Sequence, residues 1–218
     1  MEQEIEAAQS HLKLLKALGA KVMVFAEVTG CIHGNQAVPV ERRPAFPEKC
    51  WDDYGKKLTE FAKYTQSQGV QVAYHHHMGT VIESESDIDR LMAETGPEVG
   101  LLLDTGHLHY AGGNPVAVAK RHAARINHVH CKDVRQAVLD DAKNRRLSFL
   151  DAVLNGVFTV PGDGCIDYAQ VMDVLKRSDY AGWLVVEAEQ DPSIADPLTY
   201  ATMGYNNLAA FARHARLI

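Results

Sequence analysis

Apolar segments that read as β-strands recur along this chain, and each runs into an ionisable residue. "KVMVFAEV" (21–28) reaches Glu27, "VQVAYHH" (70–76) reaches His75, His76 and His77, and "VGLLLD" (99–104) stops on Asp104. "INHVHCKD" (126–133) carries His130 and "GWLVVEAEQ" (182–190) carries Glu187. Near-continuous apolar strands are covered on both faces. The segments between them read as helices. Residues 2–18 place Ile5, Ala8, Leu12, Leu15 and Leu18 at helical spacing before Gly19. Residues 51–69 carry the stripe Trp51, Tyr54, Leu58, Phe61 and Ala62 before a Gly69 stop. Helices over 84–96, opened by the N-cap Ser84, and 114–125, opened by Asn-Pro, follow the next two strands. Further helices are expected over 147–154, from Tyr168 to Tyr180, and over 196–215. Residues 29–47 and the stretch after 133 read as irregular. Strand and helix thus alternate about every 30 residues, which predicts an α/β fold.

The position of the ionisable residues narrows the architecture. All lie at the C-terminal ends of strands, where (β/α)8 barrels build their active sites. No G-x-G-x-x-G follows a strand, so a dinucleotide-binding fold has little support. Only five barrel-type strands are visible and the chain opens on a helix, whereas a complete barrel needs eight strands. The expectation is one domain over 1–218: a TIM (β/α)8 barrel short of about three strands, which would leave two open sheet edges.

Composition excludes some functions. The net charge of -6 argues against nucleic acid as a partner. Cys31, Cys50, Cys131 and Cys165 are widely spaced with no C-x-x-C, which reads as free thiols in a reducing cytoplasm. The N-terminus lacks the basic start and apolar run of a signal peptide, and no stretch approaches eighteen apolar residues. A cytoplasmic location without membrane contact is expected.

Asp104, His130 and Glu187 form a set able to hold one divalent cation. Mixed carboxylate and imidazole ligands without a thiolate suit Mn, Co, Fe or Zn. A fourth ligand is expected from the "HHH" strand, where alternation puts His75 and His77 on one face and His76 on the other. His75 is the first choice and His77 the second. His107, on the loop after Asp104, is expected to bind a substrate hydroxyl; Lys132 and Arg135 are expected to hold a substrate oxygen or donate a proton. Glu27 joins the substrate contacts from the first strand tip. Glu189 sits on the Glu187 face, His128 reads as a core histidine with its hydrogen bonds satisfied, and His109 as a bystander.

The motifs "YHHHMGT", "LLLDTGHLHYAGG", "INHVHCKDVR", "GVFTVPGDG" and "GWLVVEAEQDP" together resemble the inosose dehydratase family of the xylose-isomerase-like TIM barrel superfamily. The resemblance runs from about residue 5 to the C-terminus, and implies that the missing strands are those of about the first three β/α units. It implies a hydro-lyase of inositol catabolism, converting scyllo-inosose (2-keto-myo-inositol) to 3D-(3,5/4)-trihydroxycyclohexane-1,2-dione. It also implies manganese or cobalt, and associates glutathione with the activity. Asp104, His130 and Glu187 match three metal positions; the fourth, commonly Glu, aligns with His75. Glu187, His75 or His77 would be the base, and His107 or Lys132 the proton donor. The expected partner is a small cyclic polyol ketone; homo-oligomerisation is left open. The rival readings are a sugar isomerase or epimerase of the same superfamily, an endonuclease-IV-like repair enzyme, and a truncated, non-catalytic barrel.

Overall fold

The computed structural model describes residues 2–218. Five parallel strands run side by side in chain order: β1 (Val22–Phe25), β2 (Gln71–His75), β3 (Val99–Asp104), β4 (Ile126–Cys131) and, at the far edge, β7 (Leu184–Val186). Helices α1 (Glu2–Ala17), α2 (Trp51–Ser67), α3 (Glu85–Glu94), α5 (Pro115–His122), α8 (Tyr168–Arg177) and α9 (Pro197–His214) accompany them. This is an open, five-stranded section of a β/α barrel, with β1 and β7 as its edges.

The two faces of the sheet differ. The outer face packs Tyr74, Leu101, Leu103, Val129 and Cys131 under the helices as a continuous core. Phe25 meets Phe61 of α2 with ring centroids 5.5 Å apart, which fixes the first helix–strand layer. The inner face carries His75, Leu102, Asp104, His128 and His130, and it is open at β1, where Val24 is 45% exposed. His128 is half-buried there and its Nδ1 has no hydrogen-bond partner among the described residues, so it is not the satisfied core histidine expected. Its ring lies 5.4 Å from that of His130.

Three stretches depart from the sequence expectations. The segment after Asp104 is a helix, α4 (Thr105–Tyr110), not a loop. The Asp104 side chain caps it by accepting from the His107 backbone N–H at 2.8 Å. The stretch after 133 contains helix α6 (Gln136–Asn144) and, with α7 (Phe149–Leu154) between them, a small antiparallel pair, β5 (Asp133–Val134) with β6 (Phe158–Thr159). The buried Asp133 carboxylate gathers the backbone N–H groups of Val134, Gly162, Gly164 and Ile166, folding the "VPGDG" loop onto this pair. The last strand is shorter than 182–190, because β7 pairs only with β4.

Leu103 is fully buried in the outer core. Replacing it with Ala is expected to cost about 3 kcal/mol through lost burial and the cavity left behind. Urea unfolding followed by circular dichroism checks this; a loss below about 1 kcal/mol would mean the layer can collapse onto the gap.

Candidate metal centre

The register between β3 and β4 decides what faces the inside. Leu101 pairs with Ile126, but Leu102 pairs with His128 and Asp104 with His130, so the ladder slips by one residue at Asn127. A slip of one residue moves side chains to the opposite face of a strand. Here it brings His130 opposite Asp104 on the inner face. The Asn127 side chain donates to Val72 O at 2.9 Å, tying the irregular point to β2.

Asp104 is wholly buried and its two oxygens divide the work. Oδ1 caps α4. Oδ2 lies 3.3 Å from His75 Nε2, 3.4 Å from His130 Nδ1, 3.7 Å from Lys132 Nζ and 3.9 Å from His107 Nε2. The Asp104 backbone N–H donates to His76 Nε2 at 3.2 Å, so the middle histidine of the run supports the strand tip through its backbone. Glu187 Oε2 completes the group, 3.0 Å from His130 Nδ1 and 3.2 Å from Lys132 Nζ.

His130 Nδ1 and Glu187 Oε2 are both buried and close, yet neither is aligned with a hydrogen-bond partner. Atoms that approach without bonding one another share a common space. His75, Asp104 and His130 each direct one ligand atom into such a space, all within 4.8 Å of one another. This donor set, imidazole and carboxylate with no thiol, fits a divalent cation of the Mn, Co or Zn kind. The nearby Cys131 lies in the outer core, and burial pushes its thiol up.

A second group adjoins the first. His77, His107 and Glu189 also direct ligand atoms to within 4.8 Å of one another. His77 Nδ1 lies 2.8 Å from Met78 O. A carbonyl only accepts, so Nδ1 carries the proton and Nε2 keeps a free lone pair. Lys132 is fully buried, with Nζ 2.6 Å from Glu189 Oε2 and 3.0 Å from His107 Nε2.

The electrostatics follow from these distances. Burial alone would raise the Asp104 carboxyl, but Lys132, His107, His130 and His75 hold it well below the usual carboxylate range. Burial would lower the His130 imidazole; Asp104 and Glu187 outweigh it and raise it to about 9. Burial lowers Lys132 in the same way, and Asp104, Glu189 and Glu187 more than restore it, so it stays an ammonium. Burial brings His77 down to about 4, leaving it neutral near pH 7. Burial, with Lys132 beside it, keeps His107 neutral as well.

Residues 1–208 match a protein-family model described as xylose isomerase-like TIM barrel. The chain belongs to that family. Within the family it is similar to the rhizopine catabolism protein MocC of Rhizobium meliloti, 51% identical over 99% of this chain and 66% of that protein. It is also similar to an inosose dehydratase of Bacillus cereus (strain AH820), 46% identical over 92% of this chain and 68% of that one. The chain therefore spans about two thirds of the length of these relatives. Among solved structures it resembles the IolI protein with a binding zinc atom, with a TM-score of 0.63 at 18% identity, covering 98% of this chain and 67% of that chain.

Of the residues singled out in the sequence, the fold gathers His75, Asp104, His130 and Glu187 into one group, and His77, His107, Lys132 and Glu189 beside it. His107 sits on α4 and not on a loop. Arg135 spends its guanidinium elsewhere: on Gly156 O, Phe158 O, Asp163, Thr159 and Tyr200, where it clamps the 156–163 segment. Glu27 accepts from the Thr29 backbone N–H, its own N–H donates to the Tyr74 hydroxyl, and it lines a groove against α2 rather than the cluster. His109 is not idle: its Nε2 lies 2.8 Å from Gln136 Oε1 and 3.3 Å from Cys165 Sγ. His33 was missed. It comes from the 29–47 segment and sets its ring 5.1 Å from that of His77. A histidine between glycine-rich turns was its only local sign.

His130 holds a proton near pH 7 when only Asp104 and Glu187 face it, and a cation must displace that proton. Metal uptake is therefore expected to release about one proton at pH 7, and none well above pH 9. Apparent affinity should rise with pH up to that point. Calorimetric titration in buffers of different ionisation enthalpy measures the release; a release of zero at pH 7 would contradict the arrangement.

Proposed function

We propose that this chain is a metal-dependent hydro-lyase that removes water from scyllo-inosose to give the trihydroxycyclohexane-1,2-dione, in inositol catabolism. The observation that carries the reading is the pair of buried, unbonded, converging atoms His130 Nδ1 and Glu187 Oε2, beside Asp104 and His75. Its likeness to a dehydratase at 46% identity supports the substrate and the reaction class. Single-domain organisation over 1–218 is part of the same reading.

His75, Asp104, His130 and Glu187 would hold the cation. The ligand set suits Mn, Co, Fe or Zn, and the resemblance to inosose dehydratases favours manganese or cobalt among them. Bound there, it would supply Lewis-acid polarisation of the substrate ketone and stabilise negative charge developing on that oxygen. The protein's own groups do the rest. His77, neutral with a free Nε2, would take the proton from the carbon beside the ketone. The Lys132 ammonium, fixed by Glu189, holds the hydroxyl to be expelled and helps it leave as water. His107, accepting from Lys132, keeps that ammonium aimed. One C–H and one C–O bond break, water leaves, and the enol left behind becomes the dione without any oxidant. Phe149 and Phe158 line His107 and limit water around the transferred proton.

The test is turnover of scyllo-inosose by the purified chain, with and without glutathione, following the dione. Activity is expected to disappear on chelation and to return with Mn²⁺ or Co²⁺. His77→Ala should lower kcat by about 100-fold or more while leaving metal content intact. An epimerised ketone in place of the dione would favour the isomerase reading, and full turnover in chelator would end the metal-dependent one.

A further inference from the structure

Lys132 places its ammonium against a second group of side chains able to hold a cation. His77, His107 and Glu189 come from three different segments, yet their ligand atoms lie within 4.8 Å of one another. Lys132 Nζ is 2.6 Å from Glu189 Oε2 and 3.0 Å from His107 Nε2, and 4.9 Å from the centre of the Phe158 ring. The placement is built and not incidental. A Cβ on residue 106 would stand 2.6 Å from Lys132 Cγ, so glycine at 106 is what lets the lysine stem pass. The Thr105 hydroxyl donates to Lys132 O at 2.8 Å and lies 3.2 Å from its backbone nitrogen, pinning the residue. Glu189 is held at φ 46, a strained setting for a non-glycine residue, with its carboxylate on the ammonium.

We infer that Lys132 is a built-in second cation: its ammonium occupies the His107–Glu189 side of the second cluster, leaving the His77 lone pair free, and makes the neighbouring centre a one-metal centre. The inference rests on the metal reading proposed above. Charge balance supports it. Asp104, Glu187 and Glu189 are three carboxylates facing Lys132. One ammonium and one divalent cation neutralise them; a second divalent ion would leave the buried site strongly positive. Distance supports it too. The ammonium lies 3.7 Å from Asp104 Oδ2 and 3.2 Å from Glu187 Oε2, so it shares carboxylates with the first site as the second ion of a two-metal pair does. Unlike an ion, this cation stays when a chelator is present.

The experiment counts metal on the whole folded chain by equilibrium dialysis against Mn²⁺ and elemental analysis. The wild type is expected to bind about one equivalent. Lys132→Ala, checked for folding by circular dichroism, is expected to bind about two, and the double variant K132A/H77A about one again. Methylammonium should compete with the second ion in K132A but not with the first. If the K132A chain does not fold, Glu189→Gln in the wild-type background serves instead, and about one equivalent is expected to remain. Folded K132A holding the same single ion as wild type, or wild type holding two, would overturn the inference. So would loss of the ion in E189Q. A wild type that binds no metal would instead remove the reading beneath it.

Discussion

The Asp104 carboxylate is the constraint on which the rest of the structure depends. A fully buried anion is costly unless it is paired and hydrogen-bonded. One oxygen of Asp104 caps α4, and the other faces His75, His130, Lys132 and His107 within 3.9 Å. Its backbone N–H holds His76. The end of β3, the start of α4, the tip of β2 and the tip of β4 are therefore tied to one side chain. A fold that buries this carboxylate must bring those cationic and donor groups to it, and bringing them there assembles the site.

The same accounting explains the apparent excess of chemistry. Glu187 and Glu189 add two more carboxylates, and among the described residues Lys132 is the ammonium in their midst. In the absence of an ion, His130 takes up a proton to offset part of the remaining negative charge, which is why its imidazole rises to about 9. A divalent cation does this better and leaves the imidazole as a ligand. On the proposed metal reading, metal affinity, proton release and the fixed ammonium would be three consequences of one charge balance.

Much of this was legible in the sequence because it is local. Strand tips carry their ionisable residues whatever the rest of the chain does, and "VGLLLD" ends its strand on Asp104 as read. Alternation placed His75 and His77 on one side and His76 on the other, and the structure gives His75 and His77 to the two ligand groups and His76 to the Asp104 backbone. The misses are of two kinds. Helix α4 is six residues long with Gly106 inside it, too short for a periodic pattern; its only sign was Asp104 standing three residues before His107, as an N-cap does. Helix α6 buries only Leu139 and Ala142, a stripe too thin to stand out from a polar stretch. The register slip at Asn127 and the meeting of His33 with His77 depend on contacts distant in the chain, which periodicity does not carry.

The central claim is that four side chains from four strand tips hold one divalent cation. Anomalous diffraction from crystals of the chain grown with Mn²⁺ tests it most directly. The account predicts a single strong peak among His75 Nε2, Asp104 Oδ2, His130 Nδ1 and Glu187 Oε2, with Lys132 still seated against Glu189. No peak there at saturating Mn²⁺, or a peak that displaces Lys132 and sits on His77, His107 and Glu189, would contradict it.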